Sequence, residues 1–242
     1  MSDTISLLRK NCLLIKSRIA QACVRSGRNQ NDVTIIPVTK YVDASVIADL
    51  VELGFHDVAE NRWQVAEPKI EHLSTRYPQG LHWHFIGKLQ SNKVNKVVGR
   101  FALIHSIDSL SLLEKVNQRA EVLGIRQGVL AQLRSGNRIS KSGLANVDEL
   151  GKLIEKLGSF PNIDCRGFMT MTDPDDTVEE IHVTYGKLRQ LGEDFKARLG
   201  LDRVELSMGM SSDFDIAVEE GATLLRIGTF LYQGLPPSAF LQ

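Results

Sequence analysis

The stretch VTIIPVTK, from Val33 to Lys40, begins with an apolar run and ends on a lysine. The apolar run predicts a short buried strand, with Pro37 near its end. The lysine needs an explanation, because the charge of an ammonium group is expensive to remove from water. Either the ammonium reaches water or a carboxylate such as Glu60, or the lysine lies at the mouth of a barrel and does chemistry there. The rest of the chain has to distinguish these alternatives.

Strand-like apolar runs alternate with helical patterns along the chain. The predicted strands are Thr34–Thr39, Phe55–Ala59, His82–Ile86, Ala102–Ile107, Gly128–Leu133, Asp164–Met169, Val204–Ser207 and Thr223–Ile227. The predicted helices between them are Ala44–Leu53, Arg62–Leu73, Leu89–Val98, Leu110–Leu123, Val147–Leu157, Val178–Leu199 and Phe214–Glu220. About eight strands in 242 residues match the (β/α)8 TIM barrel. A doubly wound open sheet is the alternative, but it usually has fewer strands and explains the regular spacing less well.

An amphipathic helix precedes the first strand. Its apolar residues recur at helical spacing from Ile5 to Ala22. We expect this extra N-terminal helix to pack in the outer ring, in the place of the helix that would otherwise follow the last strand. No linker, composition shift or low-complexity stretch divides the chain, so we predict a single α/β barrel domain over residues 1–242.

The composition argues against several classes of partner. The chain carries 29 basic and 29 acidic residues, with no basic run, which gives no electrostatic reason to expect a nucleic acid or an anionic membrane. Four basic residues interrupt the segment from Ile5 to Ala20, so it resembles neither a signal peptide nor a membrane span, and we expect a cytoplasmic protein. The three cysteines form no C-x-x-C pair, and Cys12 and Cys23 would lie about 16 Å apart on one helix, too far for a disulfide.

In a barrel of this kind, the chemistry belongs at the carboxyl ends of the strands. Residues predicted at those ends are Lys40, Glu60, Asn61, Gly87, Asp108, Arg134, Thr170, Ser211 and Gly228. Lys40 is therefore expected on the functional face.

The segment SMGMSSDFDIAVEEGATLLRIGTF, from Ser207 to Phe230, supplies the second group of candidates. Ser212 and Asp215 have the spacing of a helix capping box, which is the ordinary explanation for these serines. The functional explanation is a phosphate site, because loops after strands seven and eight are where barrels most often bind phosphate. Ser211, Gly228 and Thr229 are the candidates for that site. The barrel closes between strands eight and one, so the site would face Lys40.

A small phosphorylated carbonyl compound would satisfy both ends of this arrangement. Its phosphate would bind at Ser211, Gly228 and Thr229, and its aldehyde would form a Schiff base with the amine of Lys40. Pyridoxal phosphate fits this description, with Arg226 placed to meet its ring nitrogen. A phosphosugar aldolase would also fit, and the spacing alone does not separate the two.

Ordered sequence blocks along most of the chain resemble one family. These blocks are PVTK (Pro37–Lys40), AEN (Ala59–Asn61), WHFIGKLQSNK (Trp83–Lys93), HSIDS (His105–Ser109), SKSGL (Ser140–Leu144), GFMTM (Gly167–Met171), SMGMSSDF (Ser207–Phe214) and RIGT (Arg226–Thr229). Together they resemble the YggS/PROSC family of pyridoxal-phosphate-binding homeostasis proteins. The fold of that family is similar to the barrel domain of alanine racemase, known as fold type III of the pyridoxal phosphate proteins.

The resemblance implies a cofactor, pyridoxal 5′-phosphate, and a set of residues that bind it. It implies a Schiff base at Lys40, a phosphate near Ser211, Gly228 and Thr229, and Arg226 at the ring nitrogen. By the same resemblance, Asn61 and His84 are neighbours of the cofactor. It further implies a role in intracellular pyridoxal phosphate (vitamin B6) homeostasis, with supply of the cofactor to apoenzymes as one form of that role and no established catalytic reaction.

Several positions depart from the pattern of the family. The chain has Thr39-Lys40-Tyr41 where the family commonly has Ser-Lys-Thr, and Ala59 where it commonly has glycine. It also has Lys88 and Arg134 where the family usually has histidine and asparagine. None of these removes an expected cofactor contact, but Tyr41 and Arg134 change the rim of the pocket.

An amino-acid racemase is the enzymatic alternative. It would need an acid and a base on opposite faces of the substrate. In alanine racemase one of these is a tyrosine from a second, β-rich domain, and we expect no such domain because the chain ends soon after strand eight. Tyr41 and Tyr232 lie near the right face in the sequence, but neither has an evident reason to serve.

Two further patterns have ordinary explanations. His82 and His84 would point to the same side of a strand, but no third ligand at a suitable spacing accompanies them, so we expect no metal site. Lys88, Lys93 and Lys96 are expected on a solvated helix face; a docking surface for an acidic protein partner is the alternative. We expect a monomer.

Overall fold

Each apolar run of the sequence forms a strand in the computed structural model of the chain, which describes residues 3–77, 80–134, 143–144, 147–199 and 201–241. The strands are β1 (Thr34–Pro37), β2 (Asp57–Glu60), β3 (His82–Phe85), β4 (Leu103–Ile107), β5 (Gln127–Gln132), β6 (Ile163–Met169), β7 (Glu205–Ser207) and β8 (Leu224–Ile227). All eight predicted strands are confirmed, and no end differs from its prediction by more than two residues.

The strands form a barrel because the sheet returns to its first strand. They pair in parallel in the order β1-β8-β7-β6-β5-β4-β3-β2. Val38, just beyond β1, then bridges Ala59 of β2, and the Thr39 N–H donates to the Ala59 carbonyl at 2.9 Å. The predicted α/β barrel is therefore confirmed, and the open-sheet alternative is wrong. Because every strand runs in the same direction, all eight carboxyl ends meet at one face.

Helices cover the outside of this barrel. They are α1 (Asp3–Ser26), α2 (Ala44–Glu52), α3 (Trp63–Ser74), α4 (Val94–Val97), α5 (Leu110–Leu123), α6 (Val147–Lys156), α7 (Val178–Leu199) and α8 (Phe214–Glu219). Local signals fix several ends: the Asp43 side chain accepts from the Ser45 N–H before α2, and Gly124 ends α5 in the left-handed conformation.

One predicted helix is much shorter than expected. The segment Leu89–Val98 was predicted as a helix, but it contains a 3₁₀ turn (Ser91–Lys93) followed by the single turn α4. Its sequence, LQSNKVNKVV, combines serine, asparagine and β-branched valine, which are all weak helix formers, and a short segment cannot compensate for them.

The N-terminal helix α1 packs in the outer ring, as predicted. It lies against α8 and α2, and Arg18 and Arg25 form ion pairs with Asp215 and Glu219 of α8. The Asn11 amide donates to the carbonyls of Leu231 and Gln233, beyond β8, at 3.0 Å each. Thus α1 anchors the segment after β8, where the described residues contain only turns and the 3₁₀ turn Pro237–Ala239.

The barrel interior is only partly apolar. Its apolar cluster consists of Ile36, Ala59, Leu103, Leu130, Met169 and Leu224. In β8, Leu225 and Ile227 join the outer core, so the alternating Leu224 and Arg226 face the interior. Barrels of this type usually fill their interior with branched apolar side chains, so a buried arginine there is unusual.

The cysteines are unpaired, as predicted. Cys12 and Cys23 are buried thiols and Cys165 is half-buried. Burial raises the pKa of Cys12 to about 11, so its thiol stays protonated near neutral pH. Among the described helices, none is long and apolar enough to cross a membrane.

Candidate functional site

Lys40 lies three residues beyond the end of β1, at the carboxyl face of the barrel. It is half-buried, and its Nζ atom lies 4.8 Å from the centre of the Tyr41 ring, a cation–π distance. Glu60, the carboxylate named as an example in the ion-pair explanation of Lys40, binds Lys69 instead. That explanation is therefore wrong for Glu60, and no other carboxylate of the described residues forms an ion pair with Lys40.

A buried ion pair supports the backbone just before Lys40. Lys69 of α3 donates from Nζ to Glu60 Oε1 at 2.6 Å and to the Thr39 carbonyl at 2.7 Å. The Thr39 hydroxyl donates to the same Glu60 oxygen at 2.8 Å. Both charged side chains are almost fully buried, so each depends on the other for its solvation. The pair fixes the Thr39 carbonyl and therefore the backbone of Lys40, which shares the same peptide group.

The Ser211 hydroxyl accepts hydrogen bonds from two backbone amides that follow β8. Its Oγ atom accepts from the Gly228 N–H at 3.3 Å and from the Phe230 N–H at 3.2 Å. Thr229, between them, is exposed. The two amides converge on one oxygen, which in this structure is the neutral hydroxyl of Ser211. The same donors suit a phosphate oxygen.

Gly228 lies beside the strand that leads to Lys40. The Val38 N–H donates to the carbonyl of Ile227 at 2.8 Å, and a Cβ atom added at Gly228 would lie 3.5 Å from the Val38 Cβ atom. That is ordinary van der Waals contact, and the φ angle of Gly228 is not positive. Packing in this structure therefore does not require glycine at this position.

The predicted capping box of Ser212 and Asp215 is wrong. Helix α8 begins at Phe214, with Asp213 as its N-cap and no side-chain capping bond. The reason is that the Asp213 carboxylate is engaged elsewhere, where it accepts from the Met210 N–H at 2.6 Å.

The loop that carries Ser211 is instead held by a buried polar cluster. Thr172 and Tyr185 donate their hydroxyl hydrogens to Asp213 Oδ2 at 2.5 and 2.8 Å, and the Gly209 N–H donates to the Tyr185 hydroxyl at 3.2 Å. Burial, followed by the nearby Asp213 charge, raises the pKa of Tyr185 well above its ordinary value, so this phenol stays a neutral donor.

Arg226 lies inside the barrel, in β8. Its guanidinium donates from Nη1 to Ser207 Oγ at 2.6 Å and from Nη2 to the Thr170 carbonyl at 2.9 Å. Only 3% of the residue is exposed. Burial lowers its pKa, and the neighbouring Tyr185 and Asp213 act in the opposite direction. Within the described part of the chain no carboxylate forms an ion pair with it, so the guanidinium keeps donors for a ligand with an acceptor atom.

The structure places the remaining two predicted residues differently. Asn61 follows β2 directly, and Gly87 packs so closely against it that an added Cβ atom would lie 1.9 Å from the Asn61 carbonyl oxygen. His84 is buried with both ring nitrogens engaged, Nδ1 with His105 Nε2 at 2.9 Å and Nε2 with Asp57 Oδ1 at 3.0 Å. It therefore reaches Arg226 only through intermediate side chains.

Sequence reasoning missed the supporting residues. Lys69 and Tyr185 lie on helices, and nothing in their local sequence indicates that they turn toward the barrel rim. His105 and Ser207 belong to blocks that the sequence analysis quoted without a role. The alternation of side chains along a strand could have placed both inside the barrel. In β4, Leu103 faces the interior, and so does His105 two residues later; in β7, Leu206 faces the outer core, so Ser207 next to it faces the interior. The described residues contain no group of three metal-ligating side chains.

Comparison with known families identifies the barrel. Residues 16–236 match the family model described as alanine racemase, N-terminal domain. The alanine racemase of Clostridium difficile 630 superposes with a TM-score of 0.72 at 19% identity, covering 97% of this chain and 58% of the racemase. At that identity the likeness concerns the fold alone.

Two relatives are much more similar in sequence and in length. The pyridoxal phosphate homeostasis protein of Aquifex aeolicus is 36% identical over 218 residues, which is 90% of this chain and 94% of the relative. The structure of PipY from Synechococcus elongatus PCC7942 with PLP bound superposes with a TM-score of 0.77 at 33% identity, covering 90% of this chain and 99% of PipY.

Proposed function

The chain belongs to the family of pyridoxal phosphate homeostasis proteins, and from that membership we propose that it binds pyridoxal 5′-phosphate in intracellular vitamin B6 homeostasis, as a Schiff base on Lys40. The bound cofactor of PipY supports the assignment of the ligand. The same relatives support this role over an amino-acid racemase or a phosphosugar aldolase.

One observation carries the proposal to particular residues. Lys40, which has no carboxylate partner among the described residues, lies at the carboxyl end of the strand next to the Gly228 and Phe230 amides. A primary amine and an anion-binding pair of amides on adjacent strands match the aldehyde and the phosphate of one small molecule. When bound, the cofactor supplies the aldehyde that condenses with a lysine amine.

The roles of the other residues follow from the groups they offer. Ser211 and Thr229 would bind the phosphate by their hydroxyls, with Gly228 giving access to the backbone. Arg226 would donate to the ring nitrogen, because a guanidinium has five N–H donors and no acceptor, and Ser207 and Thr170 take only two of those donors. Asn61 would border the ring, whereas His84 would act on it only indirectly, through His105, Ser207 and Arg226.

We further propose that the protein acts as a cytoplasmic monomer that passes the cofactor to apoenzymes. Lys88, Lys93 and Lys96 follow β3 at the carboxyl face, with Lys88 and Lys96 exposed. An acidic partner docked there would lie close to the opening above Lys40. Binding to an apoenzyme should weaken with salt and with reversal of the three charges; binding indifferent to both would exclude this surface.

A visible absorption titration with pyridoxal phosphate tests the function. The wild-type protein should develop the band of lysine-bound cofactor with saturation at one equivalent, and Lys40→Ala should not. Lys88→Ala is the matched control, because it removes an exposed lysine from the same face and should titrate like the wild type. Equal bands in wild type and Lys40→Ala, or no band in either, would contradict the proposal.

A further inference from the structure

A continuous row of hydrogen-bonded side chains crosses the interior of the barrel. Arg226 Nη1 lies 2.6 Å from Ser207 Oγ, and that oxygen lies 2.8 Å from His105 Nδ1. His105 Nε2 then lies 2.9 Å from His84 Nδ1, and His84 Nε2 lies 3.0 Å from Asp57 Oδ1. The row joins β8, β7, β4, β3 and β2 across the space that apolar side chains fill in most barrels.

With His84 neutral, the chemistry of the two ends fixes the direction of every hydrogen bond. A guanidinium only donates, so Ser207 accepts from Arg226 and gives its single hydrogen to His105 Nδ1. His105 must then carry its own hydrogen on Nε2, which it donates to His84 Nδ1. His84 in turn carries its hydrogen on Nε2 and donates to the Asp57 carboxylate. Both imidazoles are thus assigned as neutral Nε2–H tautomers.

The burial of the middle members keeps the row in this state. Ser207 and His105 are fully buried. Burial, together with the charge of Arg226, lowers the pKa of His105 well below its ordinary value, so the ring stays neutral at physiological pH. Only a neutral imidazole can accept a hydrogen bond at one nitrogen and donate one from the other, so only this form keeps all the hydrogen bonds of the row in one direction.

The far end of the row opens at the opposite face of the barrel from Lys40. Asp57 is the first residue of β2, and its side chain is 31% exposed. Burial raises the pKa of Asp57, but the hydrogen bond from His84 and the nearby His82 lower it by more, so its pKa lies below the ordinary value. The carboxylate is therefore charged, and the aligned dipoles run from a buried cation to a hydrated anion.

We propose that Asp57, His84, His105 and Ser207 form a positioning relay that orients Arg226 toward the ring nitrogen of a pyridine ligand and so sets the affinity for it. This inference rests on the proposed function, since the ligand is pyridoxal phosphate. Ser207 holds Nη1 while the Thr170 carbonyl holds Nη2, which fixes the plane of the guanidinium. Because the dipoles of the relay point away from Arg226, they polarise its N–H groups without neutralising the charge.

The test compares two ligands that differ at one atom. The first is pyridoxal phosphate, and the second is its 1-deaza analogue, in which C–H replaces the ring nitrogen. Ser207→Ala should weaken pyridoxal phosphate binding about tenfold, because it cuts a hydrogen bond to a charged donor, and should change binding of the analogue by less than about twofold. A general loosening of the barrel would weaken both ligands equally, and that result would overturn the proposal, as would no change in either.

Ser106→Ala provides the matched control. Ser106 is also a buried serine, adjacent to His105, but its hydroxyl has no hydrogen-bond partner among the described residues. Its removal should leave the affinity for both ligands unchanged. An effect equal to that of Ser207→Ala would overturn the relay.

Nitrogen NMR of histidine side chains tests the relay without any ligand. In ¹⁵N-histidine-labelled protein at neutral pH, the rings of His84 and His105 should each show the neutral Nε2–H pattern, and each signal is assigned by its loss in His84→Gln or His105→Gln. A charged or Nδ1–H ring at either position would overturn the proposal even if the cofactor binds. If wild type binds no pyridoxal phosphate while the tautomers are as assigned, the proposed function fails and the role assigned to the relay fails with it, but the hydrogen-bond directions stand.

Discussion

Of two buried cations in this barrel, one contacts a carboxylate directly and the other does not. Lys69 contacts the Glu60 carboxylate directly, at 2.6 Å, and both side chains are sealed from solvent. Arg226 reaches the Asp57 carboxylate only through Ser207 and two histidines, and Asp57 is itself partly hydrated. In the direct pair, the charge of Lys69 is satisfied within the protein. In the extended row, Arg226 keeps N–H donors that a ligand could use. If the proposed function holds, this difference separates a structural ion pair from a group that binds the cofactor.

The largest effect is expected from breaking the direct pair. Lys69→Met should lower the free energy of unfolding by about 3–5 kcal/mol, because it leaves a buried, unpaired carboxylate. Chemical denaturation measures this. The double variant Glu60→Gln with Lys69→Met should recover part of the loss, since it removes the orphaned charge. A loss below about 1 kcal/mol for Lys69→Met would contradict the structural role of the pair.

A smaller loss of stability is expected when the extended row loses its cation. Arg226→Met should cost about 1–2 kcal/mol, because the Asp57 carboxylate at the other end keeps its contact with water. Affinity for pyridoxal phosphate should fall more than tenfold in the same variant, whereas the Lys69 variant, where folded, should keep more of it. Parallel unfolding and ligand titrations measure both quantities. A variant of Arg226 that is less stable than the Lys69 variant would reverse the comparison.

The neutral histidine in the row predicts a pH dependence of stability. His105 has a folded-state pKa well below that of the unfolded chain, so below about pH 6.5 the unfolded state binds a proton that the folded state does not. Its contribution therefore makes the protein less stable as pH falls, by at most about 1.4 kcal/mol per pH unit. The unfolding free energy of His105→Gln should be flatter between pH 5 and 7 by roughly this slope. Parallel curves for the two proteins would contradict this prediction, because they would show that folding does not lower the pKa of His105.

The smallest effect on stability is expected at the phosphate end. Gly228→Ala should change the unfolding free energy by less than about 0.5 kcal/mol, because its Cβ atom would meet Val38 at an ordinary distance. It should still weaken pyridoxal phosphate binding, since the methyl group enters the space beside the amides.

Gly167→Ala is the contrasting control for this variant. Its φ angle is +146°, and an added Cβ atom would lie 2.1 Å from the Glu205 carbonyl oxygen, so it should be strongly destabilised. If Gly228→Ala is destabilised as much, then packing rather than a ligand explains the glycine at 228.

The sequence predicts the barrel well because its signal is local. Each strand is a run of apolar residues bounded by a turn, and the eight runs recur at regular spacing. The exceptions are local as well. The segment Leu89–Val98 has a hydrophobic pattern that fits a helix, but it is rich in residues of low helix propensity. The prediction followed the hydrophobic pattern, and the low helix propensity decided the structure.

The site is predictable only in part because its supports come from distant elements. Lys40, Ser211 and Gly228 follow strand ends, and strand ends are predictable. The pairing of Lys69 with Glu60 depends on the angle between α3 and β2, which no residue pattern specifies. The row from Arg226 to Asp57 depends on the relative heights of five strands, which only the register of the closed barrel determines. Residues 140–142 of the SKSGL block lie outside the described residues.

Chemical trapping of the cofactor on its lysine tests the central claim most directly. The protein is saturated with pyridoxal phosphate, reduced with borohydride, digested and mapped by peptide mass. We expect a single reduced pyridoxyl adduct, on Lys40, with Lys88 and the other exposed lysines unmodified. An adduct spread over surface lysines, or one located on a lysine other than Lys40, would contradict the claim that this residue holds the cofactor.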